Sequence, residues 1–217
     1  MRQVLAVVGD YYHDGDILKE ALEKVFTHPL LAGRYELKFA ETEQLAEALQ
    51  GSPACVILSK ENRLDPAGNE KETWMTNETA ELITDYVKGG GGWLAWHSGL
   101  ASYKNVASFN EMLRGAFEHH PEKHQQVTYT PVHGESGGNA FAILDEHYFV
   151  SYEEDSTEVF LVSESVDGNS IAGWRHPYGD GRVSCFTPAH RKEGLMDNSV
   201  QNVLAENIVW CSKAVHK

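Results

Sequence analysis

Basic residues are scarce in this chain, which has 18 Lys and Arg against 32 Asp and Glu and a net charge of −14. That balance opposes nucleic acid and anionic membranes as partners, because a polyanion is repelled before specific contacts form. The shortage is local as well. No Lys or Arg occurs between Lys123 and Arg175, while nine acidic residues lie between Glu135 and Asp167. This stretch reads as a solvated acidic face; a divalent-cation site is the sharper alternative, but the spacing fits no EF-hand loop. Cysteine is rare too. Cys55, Cys185 and Cys211 all sit in apolar runs, no Cys-x-x-Cys occurs, and an odd number cannot fully pair. They read as small buried hydrophobes in a reducing compartment. No apolar run reaches the length of a membrane span. The opening Met-Arg-Gln-Val-Leu-Ala-Val-Val enters a strand without a signal-peptide pattern, so the expected location is cytoplasmic.

With 41% hydrophobic residues in 217, one large domain spanning residues 1–217 is expected. Val4–Val8, Ala54–Leu58 and Trp93–Trp96 are continuous apolar runs, as in parallel strands covered on both faces. Tyr35–Ala40 alternates. Between the runs, Ile17, Leu18, Ala21, Leu22 and Val25 fall at helical spacing, as do Ala80, Leu82, Ile83, Tyr86 and Val87 behind the N-cap Thr76. Glu43–Leu49 is a short helix with Thr42 as its cap, and Glu61–Trp74 reads as a long loop. Strand and helix in alternation predict a doubly wound, mostly parallel α/β sheet.

The second half differs. Val127–Val132, Ala140–Leu144, Tyr148–Tyr152 and Val159–Val162 are short runs between turn residues, predicting an antiparallel addition. A hairpin follows with Tyr178-Gly-Asp-Gly181 at its tip. Val200, Val203, Leu204, Asn207, Ile208 and Cys211 then form a closing helix.

Ligands of open parallel sheets sit beyond the carboxyl ends of the strands, where strand order reverses. That rule sorts the 11 histidines. His13 follows strand one, His97 ends a strand and His190 follows the late strand Val183–Thr187, so three imidazoles converge on one edge. Asp10, Tyr11 and Tyr12 join them. A helix beginning at His97-Ser98-Gly99 would aim its positive dipole end at the site and favour a neutral imidazole. Capping a helix is the plainer role for His97. Ser98 reads as an N-cap ahead of a nucleophile. Phe117-Glu-His119-His120-Pro121 is expected to be a loop, with at most one histidine inward. Asp145-Glu146-x-Tyr148 reads equally as a solvated turn or as hydroxyl-binding groups. His120 and His124 are four apart, but Pro121 between them argues against a shared helical face. No metal ligands are assigned and no cofactor follows from the sequence; a metal such as zinc on His97, His119 or His120, and His190 stays open. Gly89–Gly92 precedes a strand rather than joining strand to helix, so it is no phosphate loop.

Together Gly89-Gly-Gly-Gly-Trp-Leu-Ala-Trp-His97-Ser98, Phe109-Asn-Glu-Met-Leu-Arg-Gly-Ala-Phe117 with His119-His-Pro121, Asp145-Glu146-x-Tyr148, Ile171-Ala-Gly-Trp174, Gly179-x-Gly-Arg182-Val183 and His190 resemble the trehalose-utilization (ThuA-like) family. The resemblance implies a class I glutamine amidotransferase-like sheet related to flavodoxin-like folds. It also implies a role in using trehalose, related disaccharides or keto-sugars. Glutaminases of that fold carry a cysteine nucleophile in Gly-x-Cys-x-Gly at the strand-to-helix elbow. Here the elbow reads Ala95-Trp-His-Ser-Gly99, so thioester chemistry is expected to be absent. A Gly-His ending common in the family is replaced by Ala189-His190-Arg191.

The leading expectation is therefore a carbohydrate-processing protein that binds a small sugar and whose site centres on histidine. His97 would be general base or oxyanion partner, and His190 a second acid/base group. Ser98 is kept as a lesser catalytic candidate. Asp10, His13, His120, Glu146 and Tyr148 would bind substrate, with Trp96 (and Trp93 or Trp174) stacking on the sugar. A non-catalytic binding or regulatory module and a metal-dependent hydrolase are the alternatives, and homo-oligomerisation stays open.

Overall fold

A computed structural model describes residues 1–132 and 138–213 of the chain. Glu135, part of the acidic run, lies outside the described residues. The chain opens with β1 (Arg2–Val8), α1 (Gly15–Val25), β2 (Tyr35–Phe39), α2 (Leu45–Gln50) and β3 (Cys55–Ser59). A small hairpin, β4 (Arg63–Asp65) and β5 (Asn69–Thr73), precedes α3 (Asn77–Lys88), β6 (Gly92–Trp96) and α4 (Ala107–Leu113). Then come β7 (Gly115–His119), β8 (Gln125–Pro131), β9 (Phe141–Asp145), β10 (Phe149–Tyr152), β11 (Glu158–Ser165), β12 (Gly168–Tyr178) and β13 (Gly181–Phe186). The chain closes with α5 (Lys192–Leu195) and α6 (Asn198–Cys211).

One sheet of nine strands runs in the order β2-β1-β3-β6-β13-β12-β11-β8-β9. The first five are parallel, and the remainder are antiparallel additions beyond β13. The burial patterns follow this division. Every residue of β3 and β6 is buried, because helices cover both faces there, whereas β8 and β9 alternate between core and solvent. On one face α1 and α6 bury Leu18, Leu22, Val200, Leu204 and Ile208. On the other, α2, α3 and α4 bury Leu45, Ile83, Val87, Phe109 and Met112. At ~25 cal/mol per Å² these apolar faces carry most of the favourable free energy of folding. No helix among the described residues is long and apolar enough to cross a membrane.

Local chemistry sets the helix starts. The Asp14 carboxylate accepts from the Asp16 and Ile17 amides, and Thr76 Oγ1 accepts from the Thr79 amide. Three expectations need correction. Thr42 is no cap: it opens a short 3₁₀ turn, Thr42–Gln44, which Glu41 and Gln44 close as a capping box. Glu61–Trp74 is not a loop, since its polar residues pair as β4 and β5. The segment before His120 is likewise a strand, β7, paired with β10. The polar β4–β5 hairpin and the short β7 lack the apolar alternation by which strands are read, so neither left a trace in the hydrophobic pattern.

The order β2-β1-β3 places the reversal of strand order between β1 and β3. Gly9, just after β1, has φ +95°, and a Cβ on it would lie 2.8 Å from the Gly15 Cα. That close turn leads the chain from β1 across the crevice and into α1.

Candidate active site

The centre of the site is an elbow. β6 ends at Trp96, and His97 adopts φ +47°, a left-handed conformation that is uncommon for a side-chain-bearing residue. Gly99 follows within the 3₁₀ turn His97–Leu100, and a Cβ there would lie 2.1 Å from the Leu58 carbonyl oxygen. The elbow therefore packs directly on the end of β3. No regular helix begins at His97, because α4 starts only at Ala107. The expected dipole is absent, and burial takes over its role: His97 is 1% exposed, and burial pushes its pKa down to about 4 against the hydrogen bond and charge of Glu146.

Strand ends bring the other imidazoles to this point. The ring centroids of His13 and His97 are 5.0 Å apart, those of His13 and His190 4.8 Å, and those of His97 and His190 5.6 Å. Two of the rings are held from behind, and the third residue is held through its backbone. His97 Nδ1 lies 2.6 Å from the Thr187 carbonyl oxygen, which can only accept. His13 Nδ1 lies 2.6 Å from Asp10 Oδ1. The backbone amide of His190 donates to Asp145 Oδ1 at 2.7 Å. These contacts leave His97 Nε2, His13 Nε2 and His190 Nδ1 buried and, among the described residues, without a well-directed hydrogen bond, His97 and His190 having only long contacts to Glu146.

Glu146 enters from the antiparallel half, on the turn after β9. Its Oε2 is 3.3 Å from His190 Nδ1 and 3.5 Å from His97 Nε2. Its Oε1 faces His124 Nε2 at 3.7 Å and His120 Nε2 at 3.9 Å. Burial opposes its charge, but the hydrogen bonds and charges of His190 and His97 outweigh burial and hold the carboxyl well below the usual carboxylate range. The reciprocal effect appears on His190: burial disfavours its charge, yet Glu146 raises its pKa above the ordinary value. Exposure is graded across the group. The His97 side chain is 1% exposed and Glu146 12%, whereas His124 and His120 reach 30% and 34%. Solutes therefore approach from the His120 and His124 side. Beside it opens a cleft of ≈ 290 Å³, lined in part by Tyr12, His13, His124, His190 and Arg191.

Other expected residues sit differently. Asp10 is saturated: Oδ1 also accepts from the Tyr12 and His13 amides, and Oδ2 from the Glu61 amide. Burial would raise its pKa, but His13 outweighs burial and brings it down to about 2. It acts on the site through His13 rather than on a ligand. Ser98 is fully buried, and its hydroxyl favours the ionised form of Asp10. Tyr148 is buried with its ring stacked on His97, centroids 4.2 Å apart, and Phe117 packs behind it at 4.4 Å. Trp96, Trp93 and Trp174 are all 0% exposed, so none offers a face to a sugar. The exposed aromatics beside the site are Tyr11 and Tyr12, 60% and 53% exposed and packed edge to face. Of the adjacent histidines, His119 turns away and stacks on Phe149, while His120 reaches Glu146.

His124 is the residue that sequence reasoning set aside. A shared helical face with His120 was the wrong test, because both lie in the loop between β7 and β8 and reach Glu146 without a helix. Asp145 is the other. Burial pushes its pKa up to about 6, against the donors His190 N–H and Tyr129 O–H, and it fixes the backbone of His190 rather than facing solvent. The acidic run is accordingly not one solvated face: Asp145 is fully buried and Glu146 lines the site.

The arrangement can move protons, orient sugar hydroxyls and present electron pairs to a cation. The ThuA family model, described as trehalose utilisation, matches residues 3–211. No curated protein matches the chain by sequence. Among solved structures, a ThuA-like protein from Parabacteroides merdae aligns with a TM-score of 0.71 at 12% identity, over 100% of this chain and 92% of the other. A cytoplasmic protein from Salmonella typhimurium LT2 aligns at 0.68 and 15%, over 97% and 100%. A beta-galactosidase from Bacillus circulans sp. alkalophilus aligns at 0.65 and 11%, over 96% of this chain but 30% of that one. At such identities the likeness is one of fold.

Proposed function

This chain belongs to the ThuA, or trehalose-utilisation, family, and from that premise we propose that it is a cytoplasmic enzyme processing trehalose or a related disaccharide or keto-sugar. The observation that supports a reacting centre is Glu146 ringed by His97, His190, His120 and His124, with His97 in a left-handed conformation at the elbow. Strain and buried, convergent titratable groups of this kind concentrate at functional sites. In this reading the deep trio His13, His97 and His190 and the Glu146 carboxylate act on the reacting carbon or its oxygen. His120 and His124, at the open side, hydrogen-bond sugar hydroxyls. Tyr11 and Tyr12 supply the apolar face that the buried tryptophans cannot.

The fold detail that goes with this reading is a doubly wound, flavodoxin-like sheet of the class I glutamine amidotransferase type. His97 then stands where the glutaminases carry their nucleophile. Cys55, Cys185 and Cys211 are all buried in the core rather than on the elbow, so glutamine hydrolysis through a thioester is not part of the proposal.

The test is a turnover assay of the purified chain on trehalose, other disaccharides and their keto forms, with Glu146→Gln alongside. Turnover by the wild type and a loss of at least about 100-fold in the variant are expected. Sugar binding without turnover of any of these compounds would instead make the protein a binding module.

A further inference from the structure

We propose that His13, His97, His190 and Glu146 bind one divalent first-row transition-metal ion, with zinc as the reference case. One ligand atom from each of the four lies within 4.8 Å of every other. His13 Nε2, His97 Nε2 and His190 Nδ1 are buried and make no well-directed hydrogen bond, and the last two face Glu146 Oε2. A neutral imidazole has one N–H and one lone pair. His97 Nδ1 faces the Thr187 carbonyl and His13 Nδ1 the Asp10 carboxylate, both of them acceptors. Those Nδ1 atoms therefore carry the protons, and both Nε2 atoms present lone pairs. Beside them stands a carboxylate, again an acceptor. Buried ring acceptors left unmatched are costly; a cation at the centre satisfies both of them and the carboxylate at once.

Two of the spacings already match those around a bound ion, and the whole set, within 4.8 Å, would close on it by small side-chain shifts. Glu146 Oε2 is 3.3 Å from His190 Nδ1 and 3.5 Å from His97 Nε2, longer than a strong charge-assisted hydrogen bond. Neighbouring ligands of a tetrahedral ion with bonds of about 2.0–2.1 Å are separated by roughly 3.3–3.4 Å. Three imidazoles and one carboxylate select a transition ion over calcium or magnesium, which take oxygen ligands. The outer groups fit as well: Asp10–His13 is the carboxylate–histidine pair that orients a metal ligand, and the Thr187 carbonyl does the same for His97. His119, weighed as a ligand from sequence, has no part in this set, and neither His120 nor His124 is required.

This assignment rests on the reading of the cluster as the reacting centre, where the ion would act as a Lewis acid toward a sugar oxygen. Its test does not depend on turnover. Protein purified without a histidine tag and stripped by chelator is titrated with zinc chloride by calorimetry, and the cobalt-loaded form is followed by its visible spectrum. One equivalent of zinc per chain and a raised Tm are expected. Glu146→Gln and His190→Ala should each weaken binding by roughly 100-fold or more. Asp10→Asn, acting only through His13, should weaken it by about 10–100-fold and shift the cobalt spectrum. His119→Ala should bind as the wild type does, and Tm values identify any variant that fails to fold. No stoichiometric binding by the wild type, or unchanged affinity in both Glu146→Gln and His190→Ala, overturns the metal centre. Zinc bound as expected but no sugar turned over sinks the proposed function and leaves the centre standing. Undiminished turnover by protein that binds no zinc does the reverse.

Discussion

Buried imidazole nitrogens occur in two regions of this molecule, and they differ in whether they converge. In the antiparallel extension, His147 is completely buried and both ring nitrogens are matched, Nδ1 by Ser165 Oγ at 2.7 Å and Nε2 by Ser163 Oγ at 2.9 Å. His176, also buried, bonds through Nε2 to the Met112 carbonyl at 2.9 Å, and its unmatched Nδ1 stands alone, with no second imidazole or carboxylate among the described residues hydrogen-bonded to its ring. At the switch-point edge, the buried His97 and His13 and the half-buried His190 instead gather their buried, unmatched nitrogens beside one another and a carboxylate. Burial alone thus says nothing about function. What separates the two regions is whether unmatched ring nitrogens stand alone, as at His176, or converge on a shared point beside a carboxylate.

The comparison breaks most visibly under substitution. Glu146→Gln should lower kcat/KM by roughly 10²–10⁴-fold, measured in the turnover assay, with little change in the Tm of the metal-free protein. A variant that loses its fold rather than its activity would place Glu146 with His147, as a structural group. The mirror experiment is His147→Ala, which should leave turnover unchanged and cost about 1–3 kcal/mol in urea denaturation, because a buried ring is lost and the hydroxyls of buried Ser163 and half-buried Ser165 each lose one partner.

The pH dependence of stability sharpens the contrast. Burial, and then the Arg114 charge, bring the His176 pKa down to about 4 from 6.5. The unfolded chain takes up that proton first, so stability falls as pH drops from about 6.5 toward 4 and this contribution is constant below. The full effect is at most roughly 3 kcal/mol. Urea midpoints of His176→Gln across that window should show a flatter decline than those of the wild type; parallel curves would refute the assignment. The smallest expected effect is at the mouth. Tyr12→Ala should raise KM a few-fold, about 0.5–1 kcal/mol, with kcat unchanged. A fall in kcat instead would bring Tyr12 into the reacting centre.

Much of this was legible in the sequence. The buried runs of β1, β3 and β6 and the apolar faces of α1 and α3 have periods that belong to one conformation only. Alternating elements imply a parallel sheet, and a parallel sheet sends every strand's carboxyl end to one edge. His13, His97 and His190 could be brought together on that rule alone. Trp96 could not be oriented: in a strand buried on both faces, alternate side chains meet protein either way, so its ring packs in the core and its Nε1 donates to the Pro188 carbonyl.

What the sequence by itself determined, then, is the sheet and the edge where its histidines gather, because hydrophobic period and connection handedness are local rules summed along the chain. Only the tertiary structure decided that Glu146 and His124 reach that edge from the antiparallel half, that Asp10 stands behind His13, and that His119 turns away where its neighbour His120 turns in. Loop paths and side-chain directions carry no period, and they are fixed by packing between segments far apart in sequence.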